Sequence, residues 1–86
     1  MTANSTFRNA LSETPKDVSL QVGWSFGISD KIDARIKEMG LTQKEFAKLV
    51  GKSEPEVTRW LSGTHNFTLK TLAKISAVLG EDLIVV

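Results

Sequence analysis

The apolar residues of this chain change their period near residue 28. Before that point every second residue is apolar, in the order Val18, Leu20, Val22, Trp24, Phe26 and Ile28. A period of two is typical of a strand with one buried face. A helix here would also carry two interior glycines, each costing about 1 kcal/mol relative to alanine. The pattern therefore predicts a strand near residues 17–24.

The same segment has a second interpretation. Val18 and Val22 also fit a helical i, i+4 stripe, and Thr14-Pro15 could start a helix. Under this interpretation residues 16–27 extend the first helix, and continuous helical hydrogen bonding would pass through Gly23 and Gly27.

Beyond residue 28 the spacing is helical throughout. Ile28, Ile32, Ile36 and Met39 form one stripe, and Gly40 is placed to end that helix. The segments Thr42–Glu45 and Ser53–Glu56 both match the capping box, which predicts short helices over residues 43–50 and 54–62. A last helix is expected between Thr68 and Gly80, with leucine and isoleucine on its buried face.

The C-terminal residues 82–86 are apolar and β-branched, so they predict a second strand. We expect the two strands to pair as an antiparallel ribbon, because a lone strand leaves its backbone groups unpaired. The expected fold is mainly α: a compact four- to five-helix bundle with a short two-stranded β ribbon. Residues 1–13 are expected to form a flexible arm, and residues 14–86 a single domain with its core in residues 28–80.

Composition and motif content argue against several classes of function. The chain has 86 residues, no cysteine, one histidine and a net charge of +1. Neither a secretory signal nor a membrane span is recognisable, so we expect a cytoplasmic protein. No phosphate loop, dinucleotide fingerprint or nucleophile–base pair is present, and a zinc site would lack its usual ligands. We therefore expect no enzyme activity, no metal and no cofactor.

Charge alone does not indicate nucleic acid. Residues 41–76 contain six lysines and arginines against three glutamates, a mild excess that fits phosphate contact and equally fits ordinary solvated helix faces.

Two short capped helices joined by a glycine turn form a helix-turn-helix. The run LTQKEFAKLVGKSEPEVTRWLSGTHNFTLKTLAKISAVLG, residues 41–80, resembles the Xre/Cro-type helix-turn-helix family of phage repressors and bacterial regulators. The segment WLSGTHNFTLKTLAKI is most similar to the antitoxin-like branch. The resemblance implies a compact, repressor-like helix-turn-helix bundle, dimeric, that binds double-stranded operator DNA and represses transcription.

The stretch SEPEVTRW would be the DNA-reading helix, although it carries two carboxylates. With Val57 facing the core, Trp60 also faces inward, where core packing is favoured over stacking on a base. The outward arc then holds Pro55, Thr58, Arg59 and Ser62. Both glutamates lie in the first turn, where the helix dipole favours negative charge.

Arg59 is the best candidate for a bidentate contact with guanine, the alternative being a solvated arginine or one paired with Glu56. Glu54 could accept from cytosine, whereas Glu56 belongs to the capping box. The resemblance implies that Gln43 contacts phosphate and braces the reading helix, and Lys44 either contacts phosphate or is simply solvated. The loop after that helix suits the DNA backbone, with plain turn chemistry as its alternative. The candidate DNA-binding residues are Gln43, Lys44, Ser53, Glu54, Pro55, Thr58, Arg59, Ser62, Thr64, His65 and Asn66.

Two functions from different classes follow. The first is a sequence-specific transcriptional regulator, an autorepressing antitoxin-like protein that acts as a homodimer and pairs with a toxin. The second is a protein-interaction module that binds a toxin and has weak or lost DNA binding, which the mild charge and Pro55 favour. In the dimer, the ribbon or the neighbouring Trp24 and Phe26 would contribute to the two-fold contact.

Overall fold

A computed structural model of the chain describes residues 14–86. This part of the chain contains four helices: α1 (Lys16–Glu38), α2 (Gln43–Val50), α3 (Glu54–Leu61) and α4 (Leu69–Leu79). The predicted helices over residues 43–50 and 54–62 and the helix after Thr68 are therefore confirmed, with α3 ending at Leu61. The predicted arm, residues 1–13, lies outside the described residues.

The strand predicted near residues 17–24 is wrong, because α1 runs unbroken through Gly23 and Gly27. The helical alternative is the one that forms. On a helix, alternate residues fall on opposite flanks, and the line between these flanks contains Ser25 and Ser29, both buried. This line continues into Ile32 and Ile36. Small polar residues thus occupy the first turns of the core-facing stripe, which hid its helical period.

The C-terminal strand is also wrong, so residues 14–86 contain no β ribbon. After Gly80, which adopts a left-handed conformation with φ of 65°, the chain turns back irregularly over the end of α4. The amide of Leu83 donates to Ser76 Oγ at 3.2 Å, and the Leu83 side chain is buried. Burial of one leucine and a side-chain acceptor replace strand pairing, and the described fold is all α.

All four helices contribute to one core. Its fully buried side chains include Ile32 from α1, Phe46 from α2, Val57 from α3 and Ile75 from α4. Trp60 is only 3% exposed, and its ring meets the ring of Phe46 edge-on with centroids 6.2 Å apart. The predicted inward position of Trp60 is therefore confirmed.

Arg35 joins α1 to the end of α4. Its Nε donates to the carbonyl oxygen of Leu79 at 2.9 Å, and the same nitrogen lies 3.8 Å from the carboxylate of Glu81. A cation is favoured at this position because the last carbonyls of a helix lack intrahelical partners.

The two predicted capping boxes differ. At α2 the box is complete: Thr42 Oγ1 accepts from the Glu45 amide at 3.1 Å, and Glu45 Oε1 accepts from the Thr42 amide at 2.9 Å. At α3 only the first half forms. Ser53 Oγ accepts from the Glu56 amide at 3.3 Å, but the Glu56 carboxylate accepts from the Ser53 hydroxyl instead of its amide. The second box is therefore an ordinary serine N-cap.

Replacing Gly23 with alanine should stabilise the protein. Nothing lies within 4 Å of a methyl group built there, so the change removes the helical cost of glycine, about 0.5–1 kcal/mol. Chemical denaturation measures this free energy of unfolding. Gly63→Ala is the opposite case, because Gly63 has a φ of 89° and its new methyl group would collide with the Phe26 ring. A loss of stability at Gly23→Ala would contradict a continuous α1.

The cap of α2 should make stability depend on pH. Hydrogen bonds from the Thr42 backbone and side chain hold the pKa of Glu45 below its ordinary value. A lowered folded pKa stabilises the protein above the unfolded pKa of about 4.3 and loses this effect as pH falls through the folded value. Glu45→Gln should flatten that part of the stability-versus-pH curve, measured by thermal unfolding. Asp30→Asn is the control, because Asp30 is an exposed carboxylate of α1 with no hydrogen bond or ion pair within residues 14–86.

Candidate nucleic-acid interface

The helix-turn-helix consists of α2, the turn through Gly51 and α3. Gly51 has a φ of 71°, which a residue with a side chain adopts only at a cost and which lets the chain reverse in three residues. Val57 and Trp60 bury the inner side of α3. Its outer side is consequently fixed, and four side chains are exposed there as predicted: Pro55, Thr58, Arg59 and Ser62.

Arg59 is the only cation on this outer face. The expected alternative, an ion pair with Glu56, is not made: Glu56 bonds to Ser53 instead. Within residues 14–86 the Arg59 guanidinium has no hydrogen-bonding or ionic partner. Five donors in a planar fork are thus available to an incoming acceptor.

Gln43 lies beside the outer face of α3. The Thr58 hydroxyl donates to Gln43 Oε1 at 3.4 Å, a long hydrogen bond that joins the first residue of α2 to the middle of α3. The structure therefore brings together two candidate residues that are 15 positions apart. Lys44, the next residue, is exposed at the start of the same helix.

The loop after α3 is partly committed to its own structure. Ser62 Oγ donates to the carbonyl of Arg59 at 2.6 Å and accepts from the Thr64 amide at 3.3 Å. The His65 ring packs edge-on against Phe67, with centroids 4.8 Å apart. Turn chemistry therefore accounts for much of the loop, while Thr64 and Asn66 remain exposed.

The two glutamates of α3 also differ. Glu54 is exposed at the first helical position, whereas Glu56 is partly buried and bonded to Ser53. The Ser53 hydroxyl is in turn committed to the N-cap. Among the acidic groups of this helix, only Glu54 is free to act on a ligand at the helix tip.

A sequence model of the helix-turn-helix family HTH_3, which is Xre-like, matches residues 32–86, more than half of the chain. The chain belongs to this family. HTH_3 is a family of DNA-binding transcription regulators and is generally non-enzymatic, so the chain is in general terms a DNA-binding regulator. No curated protein and no solved structure matched the chain in the corresponding comparisons.

The part of the chain that the structure describes has no group of carboxylates and histidine able to hold a metal ion. None of its helices is long and apolar enough to span a membrane.

Sequence reasoning missed an apolar groove of about 860 Å³ between α1, the start of α4 and the C-terminal residues. Trp24, Ile28, Phe67, Leu69 and Leu83 contribute to its lining. The signal was present in the alternating apolar residues of α1, which were assigned to a strand. Asn66, assigned to the DNA interface, also borders this groove.

Proposed function

We propose that the chain is a sequence-specific, homodimeric repressor that binds operator DNA through α3 and controls its own promoter as the antitoxin of a toxin–antitoxin pair. The observation that carries the DNA-reading part is the unpaired Arg59 guanidinium on the exposed face of α3. A guanidinium in this position suits the major groove of DNA, which admits an α-helix and displays paired acceptors on guanine.

The other side chains on the exposed face of α3 can make contacts of different kinds with DNA. The Thr58 and Ser62 hydroxyls suit base edges or phosphate, although both already make hydrogen bonds within the protein. Pro55 can supply only apolar contact, for which a thymine methyl is the matching group. Discrimination between base pairs therefore rests mainly on Arg59. Glu54, at the helix tip, would favour cytosine and repel phosphate.

Phosphate contacts would come from both ends of the face. Gln43 and Lys44 lie at the start of α2, and Thr64, His65 and Asn66 follow α3. Contacts from helix N-termini and polar loops position a protein on the duplex without reading its sequence. Because few cations contribute, affinity should fall with salt more gently than for strongly basic repressors.

The antitoxin assignment is supported by the likeness of residues 60–75 to antitoxins. The test is genetic: the gene should lie beside a small toxin-like reading frame, with an inverted repeat in the shared promoter. Co-expression should relieve growth arrest by that neighbour. Arrest that continues unchanged would contradict the assignment and leave the DNA-binding proposal intact.

The second candidate function is a protein-interaction module. It is favoured by Trp24, which is 66% exposed on a part of α1 that precedes the family match. Random-site selection at low salt separates the two functions, because an interaction module would enrich no duplex sequence.

Arg59→Ala should weaken binding to the selected duplex by about 1–3 kcal/mol and relax the preference at one base pair. Lys44→Ala should instead weaken binding to all duplexes alike. Fluorescence anisotropy with the selected duplex and its single-base variants measures both effects. Equal, small losses for the two variants would contradict the assignment of α3 as the reading helix.

Glu54→Gln should raise affinity for unrelated duplexes, because it removes an exposed negative charge from the helix tip. A gain of about 0.2–1 kcal/mol is expected at low salt, in the range of exposed charge interactions. Glu56→Gln is the matched control: its carboxylate is partly buried against Ser53, so its effect should be smaller. The reverse order would show that Glu56, and not Glu54, faces the DNA.

A further inference from the structure

The first half of α1 has more apolar surface than its own fold uses. Trp24 is 66% exposed and Leu20 41% exposed, and the matched family region begins only at residue 32. Monomeric proteins rarely leave a large apolar patch uncovered, and an aromatic side chain can bury roughly 150–250 Å².

One flank of this helix has a symmetric sequence. At 100° per residue it is formed by Asp17, Leu20, Gln21, Trp24, Gly27, Ile28 and Lys31. Each residue of this flank that precedes Trp24 has a counterpart that follows Trp24 by the same number of positions. Asp17 corresponds to Lys31, and Leu20 corresponds to Ile28.

We propose that this flank pairs with the same flank of a second copy, the two α1 helices running antiparallel about a two-fold axis at Trp24. A two-fold interface must be self-complementary, since residue i meets residue j and residue j meets residue i. Here Trp24 meets its own copy, Leu20 meets Ile28, and Asp17 meets Lys31 at both ends. This pairing rests on the homodimer of the proposed function and adds its surface and register.

Charge complementarity identifies the occupant as a second copy. Asp17 and Lys31 are both exposed, and within residues 14–86 neither makes an ion pair or a hydrogen bond. They lie at opposite ends of an apolar stripe, which matches an antiparallel copy. A parallel copy would place like charges together, at a cost.

Gly27 is sterically compatible with this pairing. Within residues 14–86 of a single copy nothing lies within 4 Å of a methyl group built at Gly27, and the same is true of Gly23, which lies off the flank. In the proposed pairing Gly27 faces Gln21 of the copy, and a missing side chain there lets the longer one pack.

The surrounding groove supplies further contact area. The residues of this flank other than Leu20 line the groove of about 860 Å³, whose opposite wall is formed by Leu69 and by C-terminal residues from Leu83 onward. The copy's helix would therefore touch the C-terminal wall as well as α1. Such added contact brings the interface toward the roughly 800 Å² per partner that stable complexes bury.

The other apolar flank is already occupied in part. Phe26 covers Gly63, where even a methyl group would collide with its ring. Since residues 24 and 26 are about 200° apart around a helix, the two flanks face opposite directions. In the proposed pairing Trp24 lies in the dimer contact, whereas Phe26, which is 47% exposed, faces away from it.

Charge reversal of the full chain tests the register. By sedimentation equilibrium at low salt, Asp17→Lys and Lys31→Asp should each raise the dimer dissociation constant at least about tenfold, because each creates two like-charge contacts. The double variant restores both pairs and should return to within about threefold of the wild type. Failure of the double variant to recover would overturn this register.

Trp24→Ala tests the centre of the interface. Truncation of a central aromatic anchor typically costs about 2 kcal/mol or more of binding free energy. This cost corresponds to a dissociation constant that is at least about 30-fold higher. Leu49→Ala is the matched control, because Leu49 is 56% exposed on α2, away from the flank. Circular dichroism checks that both variants remain folded. A wild-type chain that is still monomeric at roughly 100 µM would overturn the proposal.

These measurements need no DNA, so their outcome is separate from that of the DNA-reading proposal. A dimer with this register and no duplex preference would support the pairing while contradicting sequence-specific reading. Sequence-specific binding by a chain whose dimerisation ignores Trp24 and the charge reversals would do the opposite.

Discussion

Burial of Trp60 is the interaction on which the orientation of α3 depends. Its ring lies between Phe46 and Phe67, with centroids 6.2 and 6.4 Å away, and its carbonyl oxygen accepts from the buried Ser29 hydroxyl. One residue therefore ties α3 to α1, α2 and the following loop. Because Arg59 precedes it on the helix, fixing Trp60 inward holds the guanidinium outward.

The same contact separates two surfaces. Ser29 and Phe26 hold α1 against the end of α3, which leaves the opposite flank of α1, around Trp24, uncovered. The surface proposed for DNA and the surface proposed for the second copy therefore lie on different helices. A regulator arranged in this way can dimerise without using its reading face, so changes at Trp24 and at Arg59 should act independently except through avidity.

The sequence was most informative where local and tertiary signals agree. Helices α2 to α4 were predictable because polar caps, glycine ends and a helical apolar period coincide, as at Thr42 and Gly51. In α1 these signals conflict. Its core-facing line uses Ser25 and Ser29, and its apolar residues alternate on two flanks, so the dominant period was that of a strand. Tertiary contacts of Ser29 with Trp60 and of Phe26 with Gly63 favour the helical alternative, which is the one that the backbone adopts.

For the candidate site, the outward positions of Thr58 and Arg59 followed from placing Val57 inward. The partners of Glu56 and His65 did not, because each depends on side-chain geometry: Glu56 bonds to the Ser53 hydroxyl, and His65 meets Phe67. The symmetric flank of α1 could be seen only after the segment was known to be a helix, since its mirror spacing appears at 100° per residue.

The central claim is that the exposed face of α3 meets DNA. Amide chemical shifts of the full chain, followed by NMR during titration with a duplex from random-site selection, test it most directly. The largest changes should fall at Thr58, Arg59 and Ser62 and at the start of α2, with those around Trp24 remaining small. Changes confined to α1 and the C-terminal groove, or none at any duplex concentration, would contradict the account.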